Sequence, residues 1–309
     1  IGSVAYPEMD RRGYSARLSA GSISAGGTLG QLLPPSTAAV IYAILVEQSI
    51  GAIYIALIIP ALLTIVFYLG AIALTVTLAP SSAPRGEPWN GREIAQTALA
   101  SLPAFIMFGL VFGGIFFGVF TATEAAGVGA VVAFIILVMR GHLRGGGFWK
   151  VMAETTRSTS MIYFLIIGAL ITTFFFSATG LSAAATGLVT GLNLPGWGVV
   201  ALLCLIYILL GFVLDSIAVL MITATLTAGI VSVYGYDPVW WGIIMIVVVE
   251  IGVITPPFGL NLFMLKSVAP QLKLRDVYIG VAPFVLADIL KLALLIAFPA
   301  IILWLPGFL

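Results

Sequence analysis

The sequence predicts an all-α polytopic membrane protein, and three observations carry that prediction. Of 309 residues, 61% are hydrophobic and only 8% are charged, whereas a soluble domain carries about 25% charged residues. The apolar residues fall in long runs, at 51–78, 98–119, 127–139 and 284–303. Such runs suit the ~20-residue helix that spans a bilayer's hydrocarbon core. The third observation is the placement of the thirteen Lys and Arg residues. Arg11, Arg12 and Arg17 share one loop, and Arg85 and Arg92 another; Arg140, Arg144, Lys150 and Arg157 form a third group, Lys266, Lys273 and Arg275 a fourth. Only Lys291 lies inside an apolar run.

Counting spans between these groups puts all four on one face of the membrane, and the positive-inside rule makes that face cytoplasmic. The intervening loops, around 47–49, 121–124 and 179–195, hold no Lys or Arg. Trp89, Trp149, Trp197, Trp240, Trp241 and Trp304 fall near predicted span ends, as an interfacial aromatic belt would. Composition also excludes partners and chemistry. A net charge of +1 argues against nucleic acid. A single cysteine, Cys204, forbids an internal disulfide, and a single histidine, His142, forbids a histidine metal cluster. The chain begins at Ile1 in mid-pattern, and we expect an N-terminal part to precede it.

Two apolar segments are broken by adjacent prolines. Pro34 and Pro35 follow Gly30 at the same spacing as Pro256 and Pro257 follow Gly252. Proline has no N–H, so the carbonyl four residues earlier loses its helical partner. The expected orphans are Gly30 and Gln31 at the first break, Gly252 and Val253 at the second. Each would cost several kcal/mol in hydrocarbon without a partner. A dehydrated cation is such a partner, because hard cations take oxygen ligands and helix C-termini carry partial negative charge. Thr28 and Thr255 add hydroxyl oxygens nearby. The first break lies on a span predicted to run outward, the second on one predicted to run inward. Matched interruptions in opposite orientation are the pattern of an inverted repeat in an ion-coupled secondary transporter. The alternative is a pair of structural kinks, and the match between the breaks favours sites. Residues 195–233 must start and end on the non-cytoplasmic side. They fit either two full spans or a re-entrant hairpin with Leu214, Asp215 and Ser216 at its tip.

Four ordered motifs carry a resemblance: "IGSVAYPEMDRRGYSARLSAGSISAGGTLGQLLPPS", "GVFTATEAAGVGA", "GFVLDSIAVLMITA" and "VEIGVITPPFGLNLF". Together they resemble the large membrane subunit of the TRAP (tripartite ATP-independent periplasmic) transporters, over essentially the whole chain. The resemblance implies an inverted-repeat, elevator-type sodium-driven importer in the bacterial inner membrane, with two hairpins and two interrupted helices in the moving domain. It implies a small membrane partner subunit, a periplasmic binding protein that delivers an organic acid such as a C4-dicarboxylate or sialic acid, and sodium as the coupling ion with no other cofactor. It favours the re-entrant hairpin for 195–233. A first sodium site would use the carbonyls of Gly30, Leu33 and Pro35. A second would use Gly252, Thr255 and Pro257, with Asp215 or Ser216 near it. The family's first hairpin precedes the "PEM" segment, and this chain starts close to its end. Ala122 stands where the family usually has proline. The implied division is 1–50 and 196–268 in the transport domain, 51–195 and 269–309 in the scaffold.

Other residues have local readings. Asn261, just after the second break, and Thr28, just before the first, are candidate substrate ligands. Asp215 is either a functional intramembrane carboxylate or the cap of the following helix. Thr121 and Glu124 have capping-box spacing. Asp288 and Lys291 stand one turn apart and are expected to pair. Glu250, two residues before Gly252, is open between tuning an ion site and reaching the interface. Gly26 with Gly30, and Gly114 with Gly118, have the spacing of close helix packing. Residues 147–160, "GFWKVMAETTRSTS", read as a helix lying along the cytoplasmic interface. The competing functions are a related elevator carrier that needs no binding protein, a passive channel, and an intramembrane enzyme. The last is disfavoured because no Gly-x-Ser-x-Gly, His-Glu-x-x-His or phosphate-loop motif occurs.

Overall fold

The structure, a computed structural model, describes residues 2–84, 86, 90–141 and 146–308, without the side chain of Glu93. Arg85, Trp89, His142 and Arg144 of the sequence reading lie outside the described residues. The described residues are helical throughout, with no strand among them. Six helices are long and apolar enough to cross a membrane: Ile50–Leu78, Ile94–Phe116, Ala122–Met139, Gly147–Ala178, Ser216–Val233 and Leu274–Ala297. A bent pair, Ala16–Leu32 with Thr37–Leu45, makes a seventh if counted as one span.

The chain divides into two compact units, Ile1–Pro84 with Gly168–Leu309, and Arg85–Ile167. The second unit holds α5 (Gly91–Phe116), α6 (Ala122–Met139) and the first turns of α7 (Gly147–Ala178). Thr121 starts α6 with the expected capping box. Its Oγ1 accepts from the Glu124 N–H at 3.3 Å, and Glu124 Oε2 accepts from the Thr121 N–H at 2.8 Å. Residues 147–160 do not form a separate interfacial helix: α7 runs unbroken from Gly147 to Ala178. Nothing between Phe148 and Ser160 is a proline, a glycine or a cap pair that would stop it.

The first unit is where the breaks sit, and its element order repeats. A 17-residue helix α2 (Ala16–Leu32), a break, a 9-residue helix α3 (Thr37–Leu45) and a long helix α4 (Ile50–Leu78) follow one another. Later come a 17-residue α11 (Pro238–Ile254), a break, a 9-residue α12 (Leu260–Val268) and a long α13 (Leu274–Ala297). Ahead of these runs lie α1 (Gly2–Arg11) and the pair α9 (Gly196–Gly211) and α10 (Ser216–Val233). α8 (Leu181–Gly191) and the short α14 (Ala300–Leu303) complete the unit. Single prolines Pro60 and Pro283 stay inside α4 and α13. The paired prolines each stop a helix, because two adjacent missing donors and two ring clashes fall within one turn. Both Pro34–Pro35 and Pro256–Pro257 bonds are cis.

Packing in this unit turns on two glycine contacts that spacing alone did not indicate. Gly21 on α2 lies against the backbone of Gly280 on α13, so that a Cβ on either would collide with the other helix's main chain. Gly211 at the end of α9 lies against Gly252 on α11, where an added Cβ on Gly252 would stand 2.8 Å from the Gly211 Cα. By contrast Gly26 and Gly30 face open space, and Gly114 meets only the ring of Phe120. The Gly-x-x-x-Gly spacings therefore do not mark helix contacts here. Arg17 on α2 adds a 3.0 Å ion pair to Asp276 on α13. The tryptophans also divide. Trp149, Trp197 and Trp304 are exposed, as a belt requires, but Trp240 and Trp241 are fully buried. Their indole N–H groups donate to the Leu295 carbonyl at 3.2 Å and to Thr227 Oγ1 at 3.1 Å. Nearness to a helix end is legible from sequence; which way a ring points around the helix is not.

Candidate functional site: two broken helices

At the first break α2 ends with the Leu33 N–H donating to the Leu29 carbonyl at 2.8 Å. The chain then bends by 43°, and Ser36 caps α3 by accepting from the Ala39 N–H at 3.2 Å. Gly30, Leu33 and Pro35, the expected sodium ligands, are exposed, whereas Pro34 and Ser36 between them are buried. At the second break α11 tightens in its last turn. The Gly252 carbonyl accepts the Thr255 N–H at 3.2 Å, so it is not the full orphan that the proline spacing predicts. A 3₁₀ bond has replaced the missing α-helical one. Thr255 Oγ1 donates back to the Ile251 carbonyl at 2.5 Å. The Pro257 carbonyl accepts the Tyr278 hydroxyl of α13 at 2.6 Å. Each carbonyl and hydroxyl oxygen retains a lone pair beyond these bonds.

The hairpin turn joins the second break through the glycine contact, since Gly211 opens the turn that holds Asp215 and Ser216. α9, 16 residues and about 24 Å long at 1.5 Å per residue, is short of a ~30 Å core, whereas the 18-residue α10 is long enough to cross. Tyr207 on α9 ties the pair together with 2.7 Å and 2.9 Å bonds to Thr223 and Thr227 on α10. Asp215 is exposed and caps α10, its Oδ1 accepting from the Ile217 N–H at 2.9 Å, while Ser216 is buried. The capping role is thus present, on the element where the sequence left it open.

The two candidate substrate ligands face different ways. Asn261, in the first turn of α12, lies against α2: a Cβ on Gly27 would stand 3.6 Å from its Nδ2. With Ser24, Gly27 and Ser3 it lines an open cavity of about 350 Å³. The Ser24 hydroxyl is buried in that wall with no hydrogen-bond partner. Thr28 turns away, donating to the Ala25 carbonyl at 2.8 Å and lying 3.1 Å from the Tyr68 hydroxyl. That contact opens a buried chain of polar groups that the sequence reading only half recognised. Tyr68 donates to Asp288 Oδ2 at 2.7 Å. Lys291 Nζ reaches Asp288 Oδ1 at 2.7 Å and Thr64 Oγ1 at 2.9 Å. The expected Asp288–Lys291 pair is present, 2% and 1% exposed. The signal for Thr64 and Tyr68 was available: two hydroxyls four residues apart share one face of a helix.

Comparison with known proteins matches this arrangement to one family across nearly its full length. A profile of the tripartite ATP-independent periplasmic transporter DctM component covers residues 1–301. The chain belongs to this DctM family. Among its relatives is the C4-dicarboxylate TRAP transporter large permease protein of Pseudomonas aeruginosa, 32% identical over 313 residues, which cover 100% of this chain and 72% of that protein. The isethionate TRAP transporter permease protein of Oleidesulfovibrio alaskensis is 29% identical over 99% of this chain and 48% of its own length. The sialic acid TRAP transporter large permease protein of Vibrio cholerae is 28% identical over 99% of this chain and 71% of its own. DctM membership and the polytopic helical architecture make this chain a transport protein of the bacterial inner membrane and not an enzyme.

Proposed function

We propose that this DctM chain is the permease subunit of a sodium-driven importer of an organic acid. It works with a small membrane subunit and with a periplasmic binding protein that delivers the substrate. The observation that carries the reading is the pair of equal helix–break–helix runs, each ending a 17-residue helix at two prolines. The C-terminal ends of α2 and α11 present carbonyl oxygens and partial negative charge to a cation. Gly30, Leu33 and Pro35 would hold one sodium ion. Gly252, Thr255 and Pro257 would hold another, with Asp215 and Ser216 of the hairpin turn closing it. The substrate anion fits the opposite end of a break: the N-terminus of α12 carries partial positive charge, and Asn261 and Ser24 offer neutral donors in the adjoining cavity. The relatives' names cover C4-dicarboxylate, isethionate and sialic acid. An anionic organic acid is their common chemistry. The hairpin and the two broken helices form the moving part of an elevator built on an inverted repeat.

The test is uptake into proteoliposomes holding the full-length chain and its small partner, with binding protein and labelled acid outside. Accumulation should require an inward sodium gradient and stop when the gradient is collapsed. Equal uptake with and without sodium would overturn the reading. Thr255→Val probes the second site more narrowly, since it keeps shape and removes one neutral oxygen. Losing such a ligand costs on the order of 1–3 kcal/mol, so the half-saturating sodium concentration should rise about 5- to 150-fold. An unchanged value would leave the second break as a structural kink or a site of backbone alone.

A further inference from the structure

An open cavity of about 450 Å³ lies between α1, α2 and α4, and no residue of either break lines it. Its walls are of two kinds. Ala5 and Met9 of α1, Leu18 of α2 and Ile72 of α4 make an apolar floor, and Glu8, Arg12 and Tyr14 stand around it. Helix geometry explains the division on α1. At about 100° per residue Ala5, Glu8, Met9 and Arg12 share one face. Asp10 falls on another, where it acts on the buried Tyr6. The C-terminus of α1 then fixes the rim. The Tyr14 N–H donates to the Met9 carbonyl and the Gly13 N–H to the Asp10 carbonyl, each at 3.0 Å. Gly13, at φ +81°, is the left-handed residue of this Schellman turn, which holds Tyr14 beside Met9. The Ser15 N–H donates to the Ser82 carbonyl at 2.9 Å and ties the turn to the chain just beyond α4.

Glu8 does not make this rim negative. Its carboxylate accepts from Arg11 Nη2 at 3.0 Å and from Arg12 Nε at 2.7 Å, so two positive charges stand against one negative. The rim lies at the end of the molecule that the positive-inside rule assigns to the cytoplasm. From Ile72 the floor runs on along α4, where Leu69, Val66 and Leu62 share its face and are more than half exposed. Ile72 to Leu62 spans about 15 Å at 1.5 Å per residue, half of a ~30 Å core and so the depth of one leaflet. A cationic rim above an apolar strip one leaflet deep has the polarity of a phospholipid. We propose that this cavity binds an anionic phospholipid of the cytoplasmic leaflet. Its phosphate lies at Arg12 and Tyr14, and one acyl chain follows the floor and α4. Basic pockets between membrane helices on the cytoplasmic side suit such head groups, and guanidinium and phenol both donate to phosphate oxygens. Glu8 acts as a positioning residue, holding both guanidiniums at the rim. The site stands whether or not transport is sodium-driven.

The test takes the purified full-length chain with its small subunit in detergent and follows its melting temperature against dioctanoyl phosphatidylglycerol. The wild-type melting temperature should rise to a plateau. Dioctanoyl phosphatidylcholine has the same chains and no net charge, and its midpoint should lie at least about 5-fold higher. Inorganic phosphate, which has no chain, should give no plateau over the same range. Arg12→Gln should raise the phosphatidylglycerol midpoint about 5-fold, since a basic residue near an anionic head group contributes about 1 kcal/mol. Arg12→Lys keeps the charge and should stay within about twofold of wild type. Arg17→Gln removes an equal charge from the same end. Arg17 pairs with Asp276 on the α13 side, so this variant too should stay within about twofold. Equal midpoints for the two lipids would overturn the inference, leaving an apolar face that any lipid coats. Equal losses in Arg12→Gln and Arg17→Gln would overturn it as well, because bulk charge and not the cavity would be attracting the lipid. A plateau with phosphate alone would replace the lipid by a free anion. No plateau with phosphatidylglycerol would overturn lipid binding outright and leave the cavity to the small subunit.

Discussion

Replacing Lys291 with Met should prevent stable assembly. The ammonium is 1% exposed and answers Asp288 directly, so its removal leaves the Asp288 carboxylate buried without its cation. Breaking a buried pair from one side costs roughly 3–5 kcal/mol, a large share of the ~5–15 kcal/mol that holds a domain folded. The expected result is loss of the monodisperse peak in detergent size-exclusion chromatography. The double change Lys291→Met with Asp288→Asn should recover much of it, since the leftover buried charge falls by one. A double variant no better than the single one would show that Lys291 serves packing alone.

Gly252→Ala should be nearly as severe, for a reason unrelated to ions. A methyl there would stand 2.8 Å from the Gly211 Cα and 3.0 Å from the Ile208 carbonyl oxygen, all of it backbone that has no rotamer to change. Overpacking of this kind costs typically 1–3 kcal/mol, and here the cost is set by pushing α9 off α11. Gly30→Ala, where nothing lies within 4 Å of the new methyl, should leave the melting temperature nearly unchanged. The two variants are matched in sequence context, so measuring both by thermal melting of the purified protein separates helix contact from position in the motif. Equal losses would overturn the contact argument.

The sequence disclosed the class, the helices and the breaks because each is written along the chain. Apolar run length gave the spans, and the paired prolines gave both interruptions to within a residue or two. Thr121 with Glu124 and Asp288 with Lys291 were readable because their partners are local. What stayed hidden depends on the neighbour across a helix interface. Nothing in the run around Gly21 says that it meets Gly280, 259 positions later. Trp240 and Trp241 look like interface residues until α9, α10 and α13 close over them. The second break shows the limit most plainly. Proline chemistry predicts an orphan carbonyl at Gly252, but a tightened last turn and the distant Tyr278 re-engage oxygens that the local rule leaves bare.

The contact between Gly21 and Gly280 has a mechanical consequence. Two helices that touch backbone to backbone cannot slide past one another like helices separated by side chains, because each residue beside the glycines presents a methyl or larger step. The α2–α13 interface is further pinned by Arg17 on Asp276 and, through Tyr68 of α4, by Thr28 and Asp288. Gly211 and Gly252 fasten the hairpin to α11 in the same manner. In this structure α2 and α13 are held together along that seam, with α4 tethered to both. The compliance needed for motion has to be sought outside these locked seams.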